Sequence, residues 1–230
     1  MNQHSFSAKC DTLRIKLNEK QESIIDLVWP KHDTQTLGII AHDWVYTIEP
    51  FLREKFFGNS KGSIIQAGGH CGLYPLLFSE VFEMVYTFEP DPLSFFCLVN
   101  NCQASNIVKF NAALSDKAGL INVVITSPQN TGMNKVVSAN NSSLSGTVPA
   151  VTIDSFEFKD VRMMELDLEG HEIPALSGAT KTIQKHKPVI MLECGEPHHA
   201  QYAPAHEAMK ALGYKPYKQI NRLDVVFLPE

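Results

Sequence analysis

Residues Ala67–Gly72 read A-G-G-H-C-G and close a short apolar run, I-I-Q-A. Glu89 follows seventeen residues past Gly72, inside a second run, V-Y-T-F-E-P-D-P. Glycines let a chain turn sharply and bring its backbone against a ligand. A carboxylate at the tip of the next strand can accept hydrogen bonds from both hydroxyls of a ribose. The spacing predicts one βαβ unit that holds an adenosine. Taken alone, the turn also fits a nicotinamide-dependent oxidoreductase, because it is close to the dinucleotide fingerprint with alanine for the first glycine.

A second group of chemistry-bearing residues lies downstream. Asp167 stands near the end of V-R-M-M-E-L-D-L (residues 161–168), and Asp167, Glu169 and His171 alternate. Alternate residues of an extended chain share a face, so this spacing permits a metal, although none is assigned. Glu193 ends a later apolar run, and His198 and His199 come just after it. A carboxylate or imidazole at a strand end can take a proton from a hydroxyl. The general base stays open among Glu193, His171, His198 and His199, with Asp167 beside them.

These residues need a scaffold, and the pattern supplies an α/β one. Ser63–Ala67, Met84–Phe88, Ile107–Ala112, Val161–Leu168 and Val189–Cys194 read as strands. Leu73–Val81, Leu93–Cys102, Glu172–Ser177, Thr180–His186 and Ala205–Leu212 read as helices between them. Asp91 is an N-cap with Pro92 at the first helical position. Lys215–Ile220 and Asp224–Leu228 flank Asn221-Arg222-Leu223 and predict a terminal hairpin. Ala118–Thr126 alternates like an exposed strand. Ser127–Thr147 is rich in Ser, Asn, Gly and Thr and reads as a long loop, a length usually tied to function or motion. Ahead of the core, Trp44–Phe57 has near-helical apolar spacing, with Pro50 in the first turn of a helix from about Glu49. Gly58–Gly62 then reads as a turn. Residues 1–60 form an accessory segment and residues 61–230 the main domain.

Composition narrows the partners. The 230 residues are 44% hydrophobic and carry a net charge of −5, which argues against a general nucleic-acid or membrane surface. No apolar run approaches the roughly 18 residues of a membrane span. The polar start, M-N-Q-H-S-F-S, does not read as a signal peptide, so a cytoplasmic location is the default expectation. Cys10, Cys71, Cys97, Cys102 and Cys194 contain no C-x-x-C pair and suit free thiols in a reducing compartment.

Five ordered segments between Ser63 and Glu193 carry a resemblance to the FkbM methyltransferase family. They are I-I-Q-A-G-G-H-C-G-L-Y, T-F-E-P-D-P, F-N-A-A-L-S-D, V-T-I-D-S-F, and M-E-L-D-L-E-G-H-E-I-P-A-L-S-G-A followed by K-P-V-I-M-L-E. The resemblance implies a Rossmann-like α/β fold: a mostly parallel seven-stranded sheet, one antiparallel strand near its edge, and helices on both faces. It implies S-adenosylmethionine as cofactor and methyl transfer to a hydroxyl of a small molecule or glycan. Gly68, Gly69, His70 and Gly72 would line the methionine and ribose side. Glu89 and Pro90 would meet the ribose, and Ala112 and Ala113 the adenine. Asp167 would meet the cofactor's amino group or the acceptor. Glu49, in a Tyr-x-x-Glu-Pro context, would approach the methionine end. Two positions depart from the family pattern: Gln66, still able to hydrogen-bond the cofactor, stands where an aspartate is expected, and Glu165 where a lysine is usual, which leaves a non-catalytic cofactor-binding domain of the same fold as an alternative.

Overall fold

A computed structural model describes residues 6–16, 24–56, 62–127, 129–138, 146–195 and 200–230. His198, His199, Phe57 and most of the turn at 58–62 lie outside the described residues. The chain opens with an antiparallel pair, β1 (Cys10–Lys16) and β2 (Ile24–Pro30), then α1 (Thr36–Asp43), a π-helical turn (Trp44–Ile48) and α2 (Glu49–Phe56). The alternating core follows: β3 (Ser63–Ala67), α3 (Leu73–Phe78), β4 (Met84–Phe88), α4 (Pro92–Asn101) and β5 (Ile107–Phe110). Next come β6 (Ala113–Leu114), β7 (Gly119–Val124), β8 (Lys135–Ser138) and β9 (Thr147–Val151). The last part holds β10 (Val161–Leu166), α5 (Glu172–Ser177), α6 (Thr180–His186), β11 (Val189–Glu193), α7 (Tyr202–Ala211), β12 (Tyr214–Gln219) and β13 (Asp224–Pro229).

Seven strands form the main sheet in the order β12-β13-β11-β10-β3-β4-β5. All neighbours are parallel except at β13, which runs antiparallel to both β11 and β12. This is the expected mostly parallel sheet with one antiparallel strand near its edge. The order reverses direction between β3 and β10, which opens a crevice at the carboxyl ends of the strands.

Strand residues alternate between two apolar layers. Ile64, Val85, Met163, Met191 and Val226 pack on one face, against Trp29, Trp44, Phe51, Phe78 and Leu98. Ile65, Phe88, Met164, Ile190 and Phe227 pack on the other, against Leu176, Ile183 and Met209. The first layer draws its large side chains partly from residues before 57, so the N-terminal elements share a core with the sheet. Asn101 fastens them: it pairs with both the N–H and the carbonyl of Val28, at 2.7 and 2.9 Å, and donates to the Cys71 carbonyl at 2.7 Å.

The stretch expected as a single loop is partly ordered into a second sheet. Residues 131–133 make a 3-10 turn, and β8 pairs antiparallel with β7 in a four-stranded arrangement, β6-β9-β7-β8. Its polar, small-residue composition hid β8, since Lys135–Ser138 is too short to show alternation. Residues 128 and 139–145 of that stretch lie outside the described residues.

Candidate active site

At the crevice, β3 hands over to the glycine turn. Gly68 adopts φ +88°, and a β-carbon there would meet the Asp167 carbonyl at 2.1 Å, so only glycine lets the turn pass beside the end of β10. Gly72, at φ +91°, abuts Cys102 and Leu98, where a β-carbon would lie 2.7 Å from the Cys102 sulfur. Its task is to seat α3 against α4, and it does not line the cleft.

Glu89 follows β4 and is 6% exposed. Its Oε2 accepts the His70 N–H at 2.7 Å, and its Oε1 accepts the Asp91 N–H at 2.7 Å. The carboxylate is thus tied to the glycine turn and held at the mouth of the crevice. A carboxylate offers about four acceptor positions, so two remain for a ligand. Burial, then the nearby charge of Asp91, pushes its pKa up to about 8 despite these bonds.

The cleft over the turn encloses about 860 Å³, its open mouth included. Of the residues expected to hold a cofactor, Gly68, Gly69, His70, Glu89, Pro90, Ala112, Ala113 and Asp167 line it. Three others do not. Gln66 lies fully buried in β3, where its Oε1 accepts the Thr87 hydroxyl at 2.5 Å. Gly72 lies behind the turn. Glu49 pairs with Arg53 one helical turn on, at 2.5 Å, which satisfies its charge away from the cleft.

One wall of this cleft comes from the accessory segment 1–60 and the long loop 127–147, segments from which the sequence singles out no individual residue. Thr36 and Ile40 of α1, together with Thr131, Asn134 and Val136 around β8, complete its lining. A buried carboxylate joins these pieces. Asp33 accepts the Thr36 hydroxyl at 2.7 Å, the Thr131 N–H at 3.0 Å and the Thr131 hydroxyl at 2.5 Å. Burial works to raise the Asp33 pKa, but these bonds together hold it below the usual carboxylate value. His70 Nε2 lies 2.6 Å from Thr131 Oγ1. Because the Thr131 hydroxyl proton goes to Asp33, His70 must donate from Nε2, which sets its tautomer. Burial holds the imidazole down at about 4, against the opposing charges of Asp33 and Asp91. The sequence signals for this network were the accessory position of residues 1–60 and the length and Ser/Asn/Gly/Thr composition of the loop.

The downstream acids gather differently from their spacing. After Asp167 the chain leaves the extended state: Glu169 has φ +52° and Gly170 φ +105°. Glu172 clamps this turn, its Oε1 accepting the N–H groups of Leu168 and Gly170 at 2.9 and 3.2 Å. The turn swings His171 out to Ser115, where Nε2 and Oγ are 3.1 Å apart, so His171 does not line the cleft. In its place Glu193, at the end of β11, comes to Asp167 and Glu169. Burial, followed by the charges of Glu193 and Asp224, pushes Asp167 well above the usual carboxylate range. Burial and the Glu193 charge raise Glu169 to about 7.

Among the described residues, no helix is long and apolar enough to cross a membrane. The site is a backbone turn that needs glycine, a buried carboxylate at the cleft and a group of acids, set at the switch point of the sheet.

The model of the methyltransferase FkbM domain matches residues 73–216. No curated protein matches the chain. A crystal structure of methyltransferase FkbM from Methylobacillus flagellatus KT superposes with a TM-score of 0.52 at 17% identity, over 73% of this chain and 43% of that one. This chain thus spans less than half the length of that relative. M. jannaschii TYW2 in complex with AdoMet gives a TM-score of 0.45 at 14% identity, over 95% of this chain and 87% of that one. Magnesium protoporphyrin IX methyltransferase from Synechocystis PCC 6803 with bound SAM gives 0.48 at 10% identity, over 83% and 81%. With the domain model covering more than half of its length, the chain belongs to the FkbM methyltransferase family.

Proposed function

We propose that this chain is an S-adenosylmethionine-dependent methyltransferase acting on a hydroxyl of a small molecule or glycan. The observation that carries the reading is Glu89, fixed by two backbone N–H groups beside a turn that only glycine can make, with free acceptor positions toward the cleft. The donor set fits the cofactor: acceptors for a ribose diol at Glu89, small side chains at Ala112 and Ala113 for a flat base, and acids at Asp167 and Glu169 for a cationic end. When bound, the cofactor supplies an electrophilic methyl group on a sulfonium.

The chain's own residues then have defined tasks. Glu89 orients the ribose, and the Asp33–Thr131–His70 network closes the wall opposite. Asp167 and Glu193, with pKa-raising neighbours around Asp167, take the proton that the acceptor hydroxyl loses as its oxygen gains the methyl group. Holding donor and acceptor in line is the larger part of the rate gain for such a displacement.

Residues 1–60 are, in this reading, an accessory segment that supplies Thr36 and Ile40 to the cleft. All five cysteines are free and buried, which supports a reducing, cytoplasmic location. The net charge of −5 supports a small acceptor over a nucleic acid or a membrane surface. A co-crystal with S-adenosylhomocysteine tests the placement: the ribose hydroxyls should meet Glu89, and a ribose bound elsewhere would overturn it.

A further inference from the structure

Three buried thiols meet where the N-terminal strand pair, α4 and the glycine turn pack together. Cys10 opens β1, Cys97 lies within α4, and Cys71 sits in the turn itself. The Cys10 and Cys97 sulfurs are 3.5 Å apart, across 87 residues of chain. Cys71 is the second hydrogen-bond partner of the Cys97 sulfur. The bond from Cys71 lowers the Cys97 pKa, burial opposes it, and the bond from Cys10 adds to the lowering. Burial, then the Cys97 sulfur, pushes Cys10 up to about 12. Cys97 is thus the sulfur that ionises, and Cys10 the one that stays protonated beside it. Cys97 is sealed, but Cys10 covers it from the weak end of a ladder. Cys10 is the first residue of β1 and stands opposite Pro30, which has no N–H to give. Ladder ends are where a fold opens locally at least cost.

We propose that Cys10 and Cys97 form a reversible disulfide when a hydroperoxide reaches them, clamping the β1–β2 pair onto α4. The Cys97 thiolate attacks one peroxide oxygen; the S–O bond forms, the O–O bond breaks, and the other oxygen leaves as water once protonated. The Cys10 sulfur then attacks the Cys97 sulfenic acid; the S–S bond forms, the S–O bond breaks, and hydroxide takes the Cys10 proton to leave as a second water. The sulfurs must close by about 1.5 Å to reach the bond length of about 2.05 Å. In a reducing compartment such a pair is a transient sensor, not a permanent strut. Asn101, one turn beyond Cys97 on α4, already holds Val28 of β2 and the Cys71 carbonyl. The disulfide reinforces that tie between β2 and the glycine turn.

The test treats the whole reduced chain with hydrogen peroxide, blocks the remaining thiols by alkylation, and maps linked peptides by mass spectrometry. One crosslink, Cys10 to Cys97, is expected, making the chain about 2 Da lighter, and dithiothreitol should reverse it. The oxidised chain should melt at least about 3 °C higher, because the bond closes a long loop. Cys10→Ser should abolish the crosslink, and Cys194→Ser should leave it intact. The wild-type map decides the matter even where a variant folds poorly. Cys10 and Cys97 both free under peroxide that oxidises glutathione, a link from Cys97 to Cys71 instead, or a melting point lowered by oxidation would overturn the clamp. None of these readouts involves S-adenosylhomocysteine, so the clamp stands or falls apart from the methyltransferase reading.

Discussion

Gln66 and Glu165 stand opposite each other, in register, on the parallel strands β3 and β10, and both are sealed from solvent. Thr87, next in register on β4, gives its hydroxyl proton to Gln66. The resemblance to the family leads one to expect aspartate and lysine at these two positions. Two departures that look independent along the sequence are neighbours in space. Burial, with the Asp224 charge adding to it, holds Glu165 well above the usual carboxylate range, so the pair is kept without an internal salt bridge.

Restoring only half of the pattern should therefore fail. Gln66→Asp sets a second carboxylate against Glu165 and should destabilise the fold by about 3 kcal/mol in urea unfolding. Adding Glu165→Lys should recover most of that loss, giving a coupling of about 2 kcal/mol in a double-mutant cycle. Additive effects would show that the two side chains do not interact.

Much of this scaffold is legible in the sequence because β3, β4, β10 and β11 are mostly apolar runs bounded by glycine, proline or acidic residues. The glycine turn and Glu89 are legible for the same reason: their chemistry is local. Register is not local, so the Gln66–Glu165 pairing and the Asp33–Thr131 bond across 98 residues cannot be read from one chain. His171 was misplaced because the alternation rule assumes an extended backbone, and the left-handed Glu169 breaks it.

Adenosine affinity should depend on the ionisation of Glu89. The ionised carboxylate is the better acceptor for two hydroxyls, and its pKa is raised to about 8 by burial first and Asp91 second. Binding should strengthen as pH rises toward 8 and level off above it. Glu89→Gln should flatten the profile and cost about 1.5–3 kcal/mol in calorimetry at high pH. A pH-independent wild-type affinity would contradict this role. Folding runs the other way for this group: its contribution is full below 4.5, the unfolded value, and is lost as pH rises through about 8.

His70 should make the fold acid-sensitive. Burial lowers its pKa from 6.5 to about 4, so between these values the unfolded chain binds a proton that the folded chain does not. Stability from this group falls as pH drops through that window, by up to about 3 kcal/mol. His70→Gln removes the dependence. Unfolding curves of variant and wild type should converge by that amount from pH 7 to pH 4, whereas parallel curves would count against a buried neutral imidazole.

Asn101 should be a stability residue with a functional echo. It ties β2 to the glycine turn through three hydrogen bonds. Asn101→Ala leaves backbone groups of Val28 and Cys71 unanswered and should cost about 2–4 kcal/mol in thermal or urea unfolding. A loss under about 0.5 kcal/mol would mean that solvent replaces all three bonds.

The proposed function requires the turn at Gly68 and the carboxylate of Glu89 to hold S-adenosylmethionine together. Isothermal titration with S-adenosylhomocysteine, and with NADH under the same conditions, measures this. One saturable S-adenosylhomocysteine site is expected, tighter than any NADH binding and weakened at least about tenfold by Glu89→Ala. No heat from S-adenosylhomocysteine at millimolar concentration, or tighter binding of NADH, would overturn the proposal.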